Sequence, residues 1–233
     1  MTTTNYEALL SRHDYAIIDR SALADESEID GLPIEPLVPR EMRLRGEADI
    51  MPALLPLEAG EPYMKALADA FETADAGFGR YPFTCLLEAP GVKPARMKAH
   101  LTDRLILHSP RGGKDHLRYY DPRVFPQLLR VLAPEQLRAL YGPIQIWTFP
   151  FQQQWQSLPA PEVTRIVPKY WSVKTEQREQ LDRVFPLNAV LDAHAKRLGR
   201  PWADLAEYSA VSQTADEALE TARVRYRLTD ADS

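Results

Sequence analysis

The first two thirds of the chain carry short apolar runs that are separated by proline, glycine and acidic residues. Runs of about four to eight apolar residues are typical of strands that are covered on both faces. Four of them predict the strands of a central sheet: residues 15–19, 50–57, 81–88 and 144–149. The two prolines within 50–57 predict an edge or irregular strand, because proline cannot donate to a sheet ladder.

Other patterns fill the intervals between these strands. A helix is expected to begin at each of three prolines, Pro62, Pro94 and Pro134, since the first helical turn does not need the N–H that proline lacks. Residues 105–109 and 116–120 predict a hairpin. The stretch 24–49 is acidic and dotted with prolines, which predicts an exposed connection.

The pattern changes after Pro150. Residues 151–163 mix prolines with glutamines, which predicts a joint, and 163–167 are compatible with one more short strand. Helical spacing then continues almost to the end, at 176–184, 186–198, 201–209 and 214–228. Thr214-Ala-Asp-Glu217 has the form of a capping box, which predicts that the last of these helices begins there. We therefore expect a mixed α+β lobe over 1–152, with a central sheet and flanking helices, followed by a smaller, mainly α-helical lobe over 153–233.

Asp121-Pro122 is the clearest local signal in the chain. An aspartate carboxylate accepts hydrogen bonds from the free N–H groups at a helix start, and proline suits the first helical position. The pair therefore predicts that Asp121 caps a helix beginning near Pro122. Arg118 and Arg123 flank this aspartate, and we interpret the three charges as a structural network rather than a catalytic cluster.

Charge and composition exclude several functions. The net charge of -5 argues against a nucleic-acid-binding protein, which needs clustered lysine and arginine. The single cysteine, Cys85, allows no internal disulfide and no thiolate metal cluster. The sequence shows neither a secretory signal nor an apolar run of the roughly 20 residues that span a bilayer. These features predict a cytoplasmic protein that does not insert into membranes.

The chemistry-bearing residues do not assemble into a known catalytic motif. The five histidines have no metal-ligand spacing, and Cys85 lies in an apolar run that predicts a small buried hydrophobe. Residues 111–114 (Arg-Gly-Gly-Lys) lack the spacing of a phosphate-binding loop and suit a hairpin turn better. The sequence therefore predicts no catalytic residue, no cofactor site and no metal site.

Large aromatic residues are concentrated in the predicted joint and helical lobe. Any single one is most simply a core residue, but tryptophan and tyrosine also anchor protein interfaces. The candidates for contact with a partner protein are Trp155, Tyr170, Trp171, Trp202 and Tyr208.

A series of segments in the first lobe resembles the type VI secretion adaptor family, the effector chaperones of the Tap or TEC kind. The most specific segment is Arg118-Tyr119-Tyr120-Asp121-Pro122-Arg123-Val124, followed about twenty residues later by Tyr141-Gly142-Pro143-Ile144. The runs at 15–22, 50–57 and 81–90 precede it in the expected order, so the resemblance covers about residues 14–150.

The resemblance implies a non-enzymatic function in the bacterial cytoplasm. Such adaptors are typically encoded beside the VgrG spike protein and an effector toxin. They hold the N-terminal region of that toxin and load it onto VgrG. No catalytic residue carries over from the family, and its signature residues are expected to be structural. We hypothesise that the helical lobe, which has no recognised motif, contacts the cargo.

Two alternatives remain open from the sequence. The first is a hydrolase-like enzyme that uses a carboxylate or Cys85 in a cleft between the lobes, where perturbed titratable groups would have to converge. The second is a scaffold domain that binds an unrelated protein. If the chain does bind a partner through an apolar groove, that groove should involve the helical lobe.

Overall fold

The computed structural model describes residues 5–22, 30–58, 61, 63–76, 83–108, 113–152, 154–164 and 172–226. The strands within these residues are β1 (Tyr15–Ile18), β2 (Glu35–Pro36), β3 (Ala53–Pro56), β4 (Phe83–Glu88), β5 (Ile106–His108), β6 (Lys114–His116), β7 (Ile146–Phe151) and β8 (Gln154–Pro159). Six of them form one antiparallel sheet in the order β2-β3-β1-β4-β7-β8, and β5 and β6 form a separate hairpin.

Nine α-helices accompany the strands in the described part of the chain. They are α1 (Tyr6–Leu10), α2 (Arg40–Leu44), α3 (Tyr63–Ala76), α4 (Pro94–Arg104), α5 (Phe125–Val131), α6 (Pro134–Tyr141), α7 (Thr175–Asp182), α8 (Val184–Leu198) and α9 (Leu205–Tyr226). The last three follow the sheet without an intervening strand among the described residues. This arrangement confirms the predicted mixed α+β class with a mainly helical C-terminal region.

The central strands of the sheet, β1, β3 and β4, are buried on both faces, as the apolar runs predicted. In β1, Tyr15 and Ile17 enter the larger core, whereas Ala16 and Ile18 enter a second core beneath α1 and α3. The larger core continues through α4, α5 and α6 into the helical region, where it includes Leu187 of α8. The sheet and the C-terminal helices therefore share one continuous core.

Two expectations about the strands were wrong, and one about a connection holds only in part. β3 is an interior strand, because β1 and the two residues of β2 flank it, and Pro52 lies before it while Pro56 ends it. The second strand of the hairpin lies earlier in the chain than expected: His116 pairs with Ile106, and residues 117–120 follow the strand. The predicted exposed connection is exposed or half-buried over most of its described residues, but it buries Leu37 and Met42 completely.

The predicted joint also differs from the structure. β8 pairs along its whole length with β7, so residues 154–159 belong to the sheet, and Phe149 does not end the last strand. The division into domains at 152 stays a prediction, and the expected strand at 163–167 falls largely outside the described residues. The two helices predicted at 201–209 and 214–228 are one helix, α9, inside which Thr214 donates to the carbonyl of Ala210.

Candidate functional site

A cleft lies where the sheet meets the helical region. It consists of two cavities of about 560 Å³ and 600 Å³. The two cavities share five lining residues, which come from the turn before α5 and from α8: Arg118, Asp121, Arg123, Asn188 and Asp192. Asn188 bridges the two sides, because its Nδ2 donates to the backbone carbonyl of Arg123 at 3.0 Å. The structure therefore brings the predicted signature segment against the helical lobe.

Buried tyrosines fix the signature segment to the core. The hydroxyl of Tyr119 donates to the carbonyl of Leu101 at 2.9 Å, and its ring meets the Trp147 ring edge-on at 5.7 Å. Tyr120 is buried beside it. With both rings anchored, the charged residues on either side of them point into the cleft.

Asp121 is the centre of the charged network in the cleft. Its carboxylate accepts hydrogen bonds from the Arg123 side chain at 2.7 and 3.0 Å and lies 3.6 Å from Arg118. Arg118 also donates to Asp19 at 2.8 Å. Burial alone would raise the pKa of Asp121, but the hydrogen bonds from Arg123 and the two positive charges outweigh it and lower that pKa. Asp121 therefore stays ionised.

The prediction that Asp121 caps a helix beginning near Pro122 was wrong about where the helix begins. α5 begins at Phe125, and Val124 occupies the N-cap position without a side-chain hydrogen bond. The Asp121 carboxylate instead accepts the backbone N–H of Arg123 at 2.9 Å, while its carbonyl accepts from Val124 and Phe125. Asp121 thus closes a tight turn ahead of the helix, as aspartate does when its side chain bonds two residues on.

The second signature segment shapes the opposite end of the same core. Gly142 ends α6 with φ of 54°, and a Cβ atom there would overlap the imidazole ring of His100. That ring donates from Nε2 to the carbonyl of Leu140 at 2.8 Å, a role assigned from this contact. Glycine is therefore required both for the backbone angle and for the space. Pro143 follows it, where a proline prevents the helix from continuing.

A buried polar cluster fastens the helical region to α5. Asp216 of α9 accepts hydrogen bonds from Arg130 at 3.2 Å and from Arg183 at 2.7 Å. The Asp216 and Arg130 side chains are only 3% and 5% exposed. Beside them, Gln127 donates to the hydroxyl of Tyr208 at 3.0 Å. The sequence analysis missed this cluster, because only the folded chain brings residues so distant in sequence together.

The 600 Å³ cavity is the more apolar part of the cleft. Side chains of Leu107, Leu117, Val124, Leu181 and Val184 contribute to its lining. Phe185 lies at its border on α8 and is 85% exposed. It was not among the predicted partner residues. The buried residues of α8 are Val184, Leu187 and Leu191, and their helical spacing places Phe185 on the outer face of the helix. A large apolar residue on an outer face is the sequence signal that could have identified Phe185.

The predicted partner-binding aromatic residues fall into three groups. Trp202 and Tyr208 are buried and pack edge-to-face at 5.8 Å, and both line the 560 Å³ cavity. Trp155 is half-buried on β8, next to the second core. Tyr170 and Trp171 lie outside the described residues. Contact of these residues with a partner stays a proposal.

Cys85 is unsuited to act as a nucleophile. Its thiol is fully buried, and burial raises its pKa to about 12, so the reactive thiolate is scarce at neutral pH. The described residues contain no group of three or more His, Cys, Asp or Glu side chains that would hold a metal ion. Among the described helices, none combines the length and apolar composition that a bilayer crossing requires.

Comparison with known proteins identifies one family. A family profile described as "Domain of unknown function (DUF4123)" matches residues 15–139. The match extends from β1 into α6 and includes the signature segment in the cleft wall. No curated protein and no solved structure matches the chain significantly.

Proposed function

The chain belongs to the DUF4123 family, and from this premise we propose that it is a non-enzymatic adaptor of a type VI secretion system. In this proposal it binds the N-terminal region of an effector toxin in the cytoplasm and loads that toxin onto the VgrG spike. The observation that carries the proposal is the family match over more than half of the chain, because DUF4123 occurs in type VI effector-loading adaptors.

The chemistry of the cleft supports binding rather than catalysis. A general acid or base needs a pKa near the working pH, whereas two arginines hold Asp121 in its ionised form. The other candidate for a hydrolase, Cys85, is buried and mostly protonated. Four of the signature residues line the cleft, which supports the structural role proposed for them: Arg118, Asp121, Pro122 and Arg123.

The cleft also supplies the kind of surface that an adaptor needs. Apolar residues line one of its cavities, and a largely exposed phenylalanine stands at the border. Exposed apolar surface of this sort marks interaction sites in soluble proteins. We assign cargo binding to the cleft side of the helical region, with Trp202 and Tyr208 supporting the adjoining cavity from within.

Delivery of the toxin in cells tests this function. Deleting the gene for this chain should abolish killing of susceptible neighbours by the toxin encoded beside it. Killing by an unrelated toxin of the same secretion system should continue, because the machine itself remains intact. Unchanged killing by the neighbouring toxin would contradict the proposal, and loss of killing by both toxins would indicate a component of the machine instead.

A further inference from the structure

We infer that the apolar cavity of the cleft binds an amphipathic helix of the partner protein, one that carries a lysine or arginine about two helical turns from an apolar anchor. The inference rests on the proposed function, since it names the chemistry that the cargo presents to this surface. We call this part of the cleft the α8 groove: the cavity lined by α7, α8, the β5–β6 hairpin and the turn before α5.

One face of α8 forms a long wall of this groove. Phe185, Asn188, Ala189 and Asp192 all line it and recur at intervals of three or four residues, which places them on one side of a helix. From Phe185 to Asp192 the rise is about 10 Å at about 1.5 Å per residue. The wall therefore offers an apolar end and an acidic end about two turns apart.

The charges around the groove are not balanced. Its lining includes four aspartates but three arginines: Asp115, Asp121, Asp182, Asp192, Arg118, Arg123 and Arg178. Burial lowers the pKa of the neighbouring His116, so that ring does not supply the missing positive charge at neutral pH. A bound segment that carries one positive charge would balance the charges of the groove lining.

Asp192 differs from the other three aspartates of the groove: within the described residues it forms no direct ion pair, although its charge helps to raise the pKa of Arg123, which is bonded to Asp121. Arg178 pairs with both Asp115 and Asp182, and Arg123 pairs with Asp121. Asp192 is exposed and makes no hydrogen bond or ion pair with any residue in the described ranges. A lysine or arginine from a partner can therefore reach it without breaking an existing pair.

A helix suits this groove better than an extended segment. The α8 wall is built from side chains, and a helix satisfies its own backbone hydrogen bonds, so it can lie on apolar residues without needing donors from the groove. An apolar side chain of that helix would pack beside Phe185. Its basic residue would then lie two turns away, opposite Asp192.

A library of helical peptides tests the inference directly on the full-length chain. Peptides selected on the wild-type chain should share an apolar residue and a lysine or arginine about two turns apart. Their binding should weaken about tenfold or more in Phe185→Ser and in Asp192→Lys, because each change removes one anchor. Leu44→Ser and Asp103→Lys are matched controls, since Leu44 is 77% exposed on α2 and Asp103 is exposed on α4, and both should bind as the wild type does.

Three results would overturn the inference: selected peptides without a shared basic residue, equal binding to Asp192→Lys, or no enrichment on the wild type over Phe185→Ser. Because the library does not contain the toxin, none of these results would contradict the proposed adaptor function, which the killing experiment tests separately. If the toxin binds the wild type and both groove variants equally, the chain is an adaptor whose cargo binds elsewhere.

Discussion

Replacing Asp216 by asparagine should weaken the attachment of the helical region to α5. The substitution keeps the shape of the side chain but removes the negative charge between Arg130 and Arg183, which lie 3.2 and 2.7 Å from its oxygens. Arg183 retains Glu220 as a partner at 2.7 Å, whereas the buried Arg130 loses its only ion pair among the described residues. Breaking one side of a buried ion pair costs about 3–5 kcal/mol, because the remaining charge is left uncompensated.

Urea and thermal unfolding of the full-length chain measure this cost. For a chain of this size, about 3–5 kcal/mol corresponds to a melting temperature lower by roughly 6–20 °C. Asp182→Asn is the matched control: its side chain is 54% exposed, and its partner Arg178 also pairs with Asp115. That control should cost less than about 1 kcal/mol. Equal and small losses in both variants would refute the view that the Asp216 cluster holds the helical region in place.

Three further predictions concern the core around the cleft. Gly142→Ala should cost about 2–4 kcal/mol in unfolding free energy, from the positive φ and the overlap with His100. Gly91→Ala, where φ is 73° but the space is open, should cost only about 1 kcal/mol, and equal losses would contradict the packing argument. Cys85 should resist alkylation in the folded chain at pH 7 and react only as the chain unfolds; rapid labelling of the native protein would contradict its burial. Burial lowers the pKa of His100 to about 4, whereas the unfolded chain protonates near 6.5, so stability should be full above pH 6.5 and fall toward pH 4. His100→Gln should flatten this part of the urea-unfolding profile, and an unchanged slope would show that His100 does not contribute.

The sequence predicted the parts of the fold that depend on local pattern. Apolar runs located β1, β3, β4 and β7, because strands buried on both faces need them. The same reasoning missed β8, whose mixture of exposed and half-buried residues lacks a clear alternation. It also divided α9 in two, because Thr214 and Glu217 imitate a capping box although the surrounding helix continues through them.

The candidate site was predictable only in part. The signature segment pointed to Asp121 and its two arginines, and the structure does place them in a cleft against the helical region. The opposite wall was not predicted, since Asn188 and Asp192 are ordinary polar positions until α8 packs beside that turn. Trp202 was proposed as a partner-binding residue from its residue type; the structure shows that it is buried against Tyr208 and His194, and its contact with a partner stays a proposal.

Binding of purified full-length chain to the toxin encoded beside it, and then to VgrG, tests the central claim most directly. Size-exclusion chromatography with light scattering would report the mass of each complex. The account predicts a stable complex of chain and toxin that also associates with VgrG, and weaker toxin binding by Phe185→Ser than by the exposed control Leu44→Ser. Separate elution of the chain from both proteins would contradict the adaptor function.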